Sequence, residues 1–350
     1  MEKRYIKDMS IGELAEYFAL IGEKRHRTRQ VLKWLYQKGV KAFAEMTDLP
    51  LSLRERLDDE FLLDTLGVRG SVSSETDGSQ KFLLSTRDGS CIEAVLMEAR
   101  GHYTVCLSSQ IGCPLGCLFC STGAGGFERN LTSGEILDQL LFFRVNHIPP
   151  RVRFNIVFMG MGDPLLNIGN VSTALEIINS MDAFALGEKR ITVSTAGFPE
   201  RIAELASSPL KFGLAVSMGG ATEQVRRELM PSAGSLAETM KAAEAFALKR
   251  DTRVTLEYVL LAGVNDREGD ASRLSRITAG RPFKINLIPF NEWEGCPYRR
   301  PSERAMETFI RILLPKAPAV TVRRSQGGEI SAACGQLRAS VKKRRDPRGR

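Results

Sequence analysis

Three cysteines, Cys113, Cys117 and Cys120, stand at C-x3-C-x2-C spacing. A triad is one ligand short of what a four-iron cluster or a structural zinc needs. Thiolates select soft metals, and three sulfurs around a cubane leave one iron open to the amino and carboxylate groups of a small molecule. Two other readings compete with a cluster. A structural zinc wants a fourth Cys or His nearby, yet the chain's histidines are His26, His102 and His147, none at a zinc-knuckle offset from the triad. Unrelated core thiols are the other, since free Cys is often buried. Gly112, Pro114 and Gly116 make the segment a loop, however, and loops present ligands. Seven cysteines in a reducing compartment point to metal-binding or catalytic roles rather than to a disulfide framework.

Such a loop needs a scaffold. From about residue 99 the chain repeats a strand-then-helix pattern, which implies parallel strands with helical crossovers. Candidate strands are Val152 to Phe158, Ile191 to Ser194, Gly213 to Ser217, Val254 to Leu261, Lys284 to Pro289 and Ala319 to Arg324. Amphipathic segments such as Ser133 to Val145 and Ser235 to Lys249 lie between them, and Ser235 with Glu238 makes a capping-box pattern. About six units predict an α/β fold, a partial (β/α)6 barrel whose functional residues cluster at the C-terminal ends of the strands.

Ahead of it, residues 1–65 carry apolar residues at helical spacing, Leu14, Tyr17, Phe18 and Ile21, then Val31, Leu32, Leu35 and Tyr36. This predicts a small helical domain, with Asp48-Leu-Pro as a helix-start signal. Residues 66–98 change to short alternating stretches between glycines, a β-rich linker; the core then spans 99–335 and a basic tail 336–350.

Lys and Arg number 49 against 41 Asp and Glu, a formal charge of +8. The excess concentrates in residues 23–30, EKRHRTRQ, and in the tail from Lys342 to Arg350, a pattern that favours a nucleic-acid partner through counterion release. No apolar run reaches the roughly 18 to 20 residues of a membrane span, and the charged N-terminus lacks a signal-peptide core, so a cytoplasmic location is expected.

The stretch from Cys106-Leu-Ser-Ser-Gln-Ile-Gly-Cys113 through Cys117, Cys120 and Ser121-Thr-Gly, then Gly126-Phe-Glu-Arg-Asn-Leu and Gly160-Met-Gly-Asp-Pro-Leu, resembles the RlmN/Cfr family of radical S-adenosylmethionine (SAM) adenine methyltransferases. Ser325-Gln-Gly-Gly-Glu-Ile-Ser-Ala-Ala-Cys334 supplies a second, distant motif. The resemblance implies a radical SAM barrel, a 4Fe-4S cluster on Cys113, Cys117 and Cys120, and two SAM molecules per turnover. Its target is C2 or C8 of adenine in RNA, an electrophilic carbon that cannot attack a sulfonium methyl. In the family one SAM methylates a cysteine, and a second is reductively cleaved to a radical that takes hydrogen from the S-methyl group. The methylene radical adds to the base, and a second cysteine resolves the thioether by forming a disulfide with the first.

Residue by residue, the resemblance implies that Cys334 carries the methyl, Cys106 resolves it and Glu93 accepts a proton, while Cys91 and Cys296 match no family role and read as structural. For SAM the matching positions are Gly162, Asp163, Ser194, Ser217, Met218, Gly219 and Asn291. Two depart from the pattern: Asp163 stands where Glu is usual, and Met218-Gly219 where Leu-His is usual. The implied partners are 23S rRNA, tRNA and an electron donor such as flavodoxin or ferredoxin, with the chain a monomer. C2 methylation is the leading expectation. Against it stand C8 methylation of the antibiotic-resistance type, a non-catalytic Fe-S RNA-binding protein, and a radical SAM enzyme acting on protein.

Overall fold

The computed structural model describes residues 3–99, 101–317, 319–323 and 326–338. Ser325 of the distant motif and the basic tail from Lys342 to Arg350 therefore lie outside the described residues. The N-terminal region opens on a short strand β1 (Arg4–Tyr5), followed by helices α1 (Ile11–Leu20), α2 (His26–Leu32) and α3 (Leu51–Glu60). Strand β2 (Phe61–Leu62) returns to pair in parallel with β1, which closes the unit. Ser10 and Glu13 cap α1 reciprocally, the Glu13 amide donating to Ser10 Oγ at 3.2 Å and the Ser10 amide to Glu13 Oε2 at 2.8 Å. Leu14, Tyr17, Phe18, Val31, Leu32, Leu35 and Tyr36 are all buried, as their spacing requires. Asp48 precedes α3 but does not cap it, because its carboxylate accepts the Trp34 indole N–H instead.

The main sheet has ten strands. Its antiparallel edge is β3 (Leu66–Ser73), β4 (Gln80–Thr86) and β5 (Cys91–Ala99), which then joins β6 (His102–Cys106). Residues 66–98 are thus the edge of the main sheet rather than a bridge between two bodies. A separate two-stranded ladder, β7 (Gln110–Gly112) with β8 (Phe127–Asn130), encloses the cysteine loop and helix α4 (Ser121–Ala124). Beyond α5 (Ser133–Asn146) the parallel strands follow: β9 (Phe154–Phe158), β10 (Ile191–Thr195), β11 (Gly213–Ser217), β12 (Val254–Leu260), β13 (Phe283–Pro289) and β14 (Val320–Val322). Their order, β6-β9-β10-β11-β12-β13-β14, is sequential and parallel throughout. The crossovers carry α6 (Ile168–Asn179), α7 (Pro199–Ser207), α8 (Glu223–Leu229), α9 (Leu236–Lys249), α10 (Glu268–Thr278) and α11 (Glu303–Leu313). This is a partial barrel with one parallel strand more than the sequence predicts, β6, which carries Cys106.

Alternation along the strands separates a helix-facing core from a polar inner face. Ile191, Val193, Leu214, Val216, Leu256 and Tyr258 are buried toward the helices. Register pairs Ser194 with Ala215, Ser217 with Glu257, and Glu257 with Asn286, so these polar residues share the other face. Helix α5 departs from the expected amphipathic pattern, since Glu135, Asp138 and Gln139 are buried with its apolar residues. The N-terminal unit covers its outer side. There Asp8 Oδ1 accepts the Gly134 amide at 2.8 Å, and Asp138 takes the buried Lys7 ammonium and the Thr65 amide. Ser235 caps α9 as expected, accepting the Glu238 amide at 3.3 Å.

Candidate active site

The cysteine loop is pinned at several backbone points. The Cys113 amide donates to Gly126 O at 2.7 Å, the Cys120 amide to Cys117 O at 3.0 Å, and the Leu118 amide to Leu229 O at 3.0 Å. Gly112 has φ +73° and a Cβ there would lie 2.0 Å from Gly126 O, so only glycine permits the β7–β8 ladder to close beneath the loop. From the far side the Trp293 indole donates to Phe119 O at 3.2 Å, and Cys296 Sγ lies 3.8 Å from Leu118 O. Cys296, expected to be structural, is buried in this brace, and Cys91 is buried in β5.

Cys113, Cys117 and Cys120 line one cavity of about 890 Å³ including its open mouth, in the range of small-molecule sites. Gly162, Asp163, Ser194, Ser217, Asn291 and Cys334 line it as well. Met218 and Gly219 do not. Met218 is fully buried, and a Cβ on Gly219 would meet Met230 Sδ at 2.7 Å, so this pair packs beneath the site. Gly162 is glycine because its φ is +91° and a Cβ would sit 2.4 Å from Gln110, not in order to open the cavity. Asp163 already has three protein donors. The Leu165 amide reaches Oδ1 at 2.9 Å, the Ala196 amide reaches Oδ2 at 2.7 Å, and Thr195 Oγ1 lies 3.0 Å from both oxygens. Burial raises its pKa to about 6 despite these bonds. Asn291 Nδ2 donates to Cys334 O at 3.2 Å, and so holds the distant motif in place.

Cys106, at the end of β6, lies outside this cavity but shares a smaller one with Cys334 and Arg323. Cys334 therefore lines both cavities. Burial pushes the Cys106 thiol up to about 12, with Cys334 adding to the shift; it raises the Cys334 thiol too, which the Arg323 cation opposes. A strap from Gln326 to Arg338 carries Cys334 and is tied down along its length. The Gly327 amide donates to Asp77 Oδ2 at 2.6 Å, Ser74 Oγ to Glu329 Oε1 at 2.6 Å, and Lys81 Nζ to Ser331 O at 3.1 Å. Glu93 belongs to this restraint. Its Oε1 pairs with Lys81 Nζ at 3.1 Å and its Oε2 accepts the Arg338 amide at 2.7 Å, and it lines neither cavity.

Known proteins match this arrangement along nearly the whole chain. Residues 6–63 match the ribosomal RNA large subunit methyltransferase N-terminal domain, and residues 107–274 match the radical SAM superfamily. The dual-specificity RNA methyltransferase RlmN of Geobacter sulfurreducens is 44% identical over 96% of this chain and 92% of its own length. That of Geotalea uraniireducens is 41% identical over 98% and 99%. A radical SAM methyltransferase from Sphaerobacter thermophilus has the same fold, with TM-score 0.89 and 38% identity over 96% of this chain and 100% of its own. The chain belongs to the RlmN family of radical SAM RNA methyltransferases. RlmN-family membership carries a 4Fe-4S cluster and SAM as cofactors.

The residues present fit both RlmN cofactors. Burial pushes the Cys113 thiol up to about 12 and raises the Cys117 thiol as well, so each needs a bound cation to stand as a thiolate at neutral pH. Cys113, Cys117 and Cys120 line one cavity, and three soft thiolates suit iron. Sequence reasoning passed over Thr195, Ala196, Arg323 and Glu257. Only Glu257 carried a signal, as a lone charge inside the apolar run Val254-Thr-Leu-Glu-Tyr-Val-Leu260. Among the described residues no helix is long and apolar enough to cross a membrane.

Proposed function

We propose that this enzyme methylates C2 of an adenosine in the peptidyl transferase centre of 23S rRNA and of the adenosine 3′ to the anticodon in tRNA, in the cytoplasm and as a monomer. The observation that carries this reading is Cys334, which lines the cavity of the three cysteines on one side and the cavity of Cys106 on the other. A methyl carrier needs access to the SAM site, and its resolving partner must reach the same sulfur. The relatives' name, dual-specificity RNA methyltransferase, supports two RNA substrates.

Cys113, Cys117 and Cys120 hold the cluster in this reading, and Gly162, Asp163, Ser194, Ser217, Asn291 and the underlying Met218-Gly219 shape the SAM site. When bound, the cluster would supply the reductive cleavage of SAM with an electron from flavodoxin or ferredoxin, and two SAM molecules would serve each turnover. Arg323 favours the thiolate of Cys334 for methyl transfer. The strap holds that sulfur against the cavity and limits water there. The Cys106 thiolate then attacks the Cys334 sulfur, so that the S–S bond forms as the bond from that sulfur to the base-linked carbon breaks, and that carbon takes up a proton to become the methyl group. Glu93 serves as proton acceptor in the same reading, where loosening of its contacts with Lys81 and the Arg338 amide would free an oxygen. Mass mapping of adenines from a methyltransferase-null host expressing this chain tests the proposal. 2-Methyladenosine in both RNAs is expected; 8-methyladenosine in its place would assign the other regiochemistry.

A further inference from the structure

The turn between β3 and β4 and the strap that carries Cys334 clasp each other with one carboxylate apiece. Asp77, on the turn, accepts the Gly327 amide of the strap on Oδ2 at 2.6 Å and the Ser79 amide of its own turn on Oδ1 at 2.9 Å. In the other direction Glu329 of the strap lays Oε1 on the turn, where it accepts the Ser74 hydroxyl at 2.6 Å and the Glu75 amide at 2.8 Å. The turn is a firm base for both, since Ser74 and Ser79 are buried and the Ser74 amide donates to Ser79 O at 2.7 Å. Hydrogen bonds to ionised carboxylates are the stronger kind.

The clasp bears on Cys334 through a short relay. Gly327, held by Asp77, accepts the Ala332 amide on its own carbonyl at 2.8 Å. Its φ is +70° and a Cβ there would lie 2.7 Å from Ala332 Cβ, so the two residues approach as closely as glycine allows. Ala332, Ala333 and Cys334 line the small cavity from the strap, while Met97, Cys106 and Met159 line it from β5, β6 and the end of β9. Lys81 adds a tie to Ser331 O at 3.1 Å, but it is shared with Glu93. Beyond the relay the strap is held by neutral contacts, Asn291 Nδ2 to Cys334 O at 3.2 Å and the Ser121 amide to Gly335 O at 2.7 Å.

We propose that Asp77 and Glu329 are positioning residues for the Cys334 sulfur, holding it at the separation from Cys106 that disulfide formation requires. This rests on the reading of Cys334 and Cys106 as carrier and resolving thiol. The test equilibrates anaerobically reconstituted holoenzyme with glutathione and glutathione disulfide, one of which is reduced to two thiols for each Cys106–Cys334 bond formed, and quantifies that bond by mass spectrometry after acid quenching. The equilibrium constant reports the effective concentration of one thiol at the other. Asp77→Ala and Glu329→Ala should each lower it by about tenfold, as expected when a hydrogen bond to a charged group is lost. Glu329→Gln keeps an acceptor oxygen and should restore it to within about threefold of wild type, with iron content unchanged in every variant. Ser74→Ala removes a single donor and should lower it by about threefold, so it carries the test if an alanine at either carboxylate does not fold. An unchanged disulfide equilibrium in these variants would overturn the proposal, as would a fall matched by an equal loss of bound iron, the mark of a general failure of the fold. A wild-type chain that forms no Cys106–Cys334 disulfide at any glutathione ratio would instead refute the cysteine pairing, and the inference falls with it.

Discussion

At the scale of single residues, the chemistry of this chain is concentrated in cysteines that differ in surroundings rather than in type. Cys106 acts, in the proposed sequence, only after the base has been joined to the carbon on Cys334. Cys106→Ala should therefore load a methyl group and couple to RNA but fail to release it, accumulating as a ribonuclease-sensitive covalent complex on denaturing gels. Cys334→Ala should show neither methyl loading nor crosslink. RNA-free Cys106→Ala that still methylates adenine would rule out the two-cysteine mechanism. Asp163 teaches a different lesson. In the sequence it stands at a position matched to SAM where Glu is usual, which implies that Asp163→Glu preserves or tightens SAM binding. In the structure its carboxylate closes a compact set of bonds to Leu165, Thr195 and Ala196, and an added methylene has to push against that set. Asp163→Glu should lower stability by about 1 to 3 kcal/mol in thermal melts, the usual cost of overpacking, and should weaken S-adenosylhomocysteine binding with it. Of the positions the family resemblance implies, Gly162, Asp163, Ser194, Ser217, Asn291 and Cys334 line one cavity with the three cysteines, whereas Met218, Gly219 and Glu93 do not. The sequence does not show that the Asp163 carboxylate is already engaged, because two of its three partners, Thr195 and Ala196, come from the end of β10 and the loop beyond.

Among the elements, the strands with clean alternation were the most legible. β10, β11 and β12 match their expected spans to within a residue, because one face must meet helices and the other the polar cavity. Where a third layer intervenes, the pattern misleads. α5 reads as amphipathic, yet it is buried on nearly all sides beneath the N-terminal unit, and its Asp138 is held by Lys7 and Thr65 rather than by water. β6 lies outside the expected parallel strands because His102-Tyr-Thr-Val-Cys106 follows β5 directly as its antiparallel partner, with no helix between, and its parallel pairing with β9 spans about fifty residues. The cysteine loop depends on a similarly non-local closure. Gly112→Ala places a methyl within 2.0 Å of the Gly126 carbonyl at a left-handed backbone position, so β7 and β8 have to separate. The variant should keep its far-ultraviolet circular dichroism but retain well under half of the wild-type iron after anaerobic desalting. Full iron retention would show that the ladder does not hold the ligand loop.

For the whole molecule, the question is how a chain of charge +8 meets RNA. The N-terminal unit is fastened to the barrel by the buried Lys7–Asp138 pair, and Lys7→Met leaves Asp138 without its cation. Removing one partner of a buried pair costs about 3 to 5 kcal/mol, so urea unfolding should show a large loss of stability or an early transition of this unit. The basic run beside it is less free than its composition suggests. Arg27 is paired with Glu23, and Arg29 reaches across to Asp182 at 2.9 Å, whereas Lys24 and Arg25 are exposed and form no ion pair among the described residues. Counterion release depends on cations that can neutralise phosphates, not on the formal charge of a segment. If this face meets RNA, Lys24→Glu and Arg25→Glu should each flatten the plot of log affinity against log salt by about one unit of slope. Arg29→Glu should instead weaken the contact with Asp182 and disturb packing against α6, with a smaller change of slope. Binding titrations of a tRNA at several salt concentrations would separate these outcomes. Equal slopes for all variants and the wild-type chain would move the RNA-facing charge away from this helix.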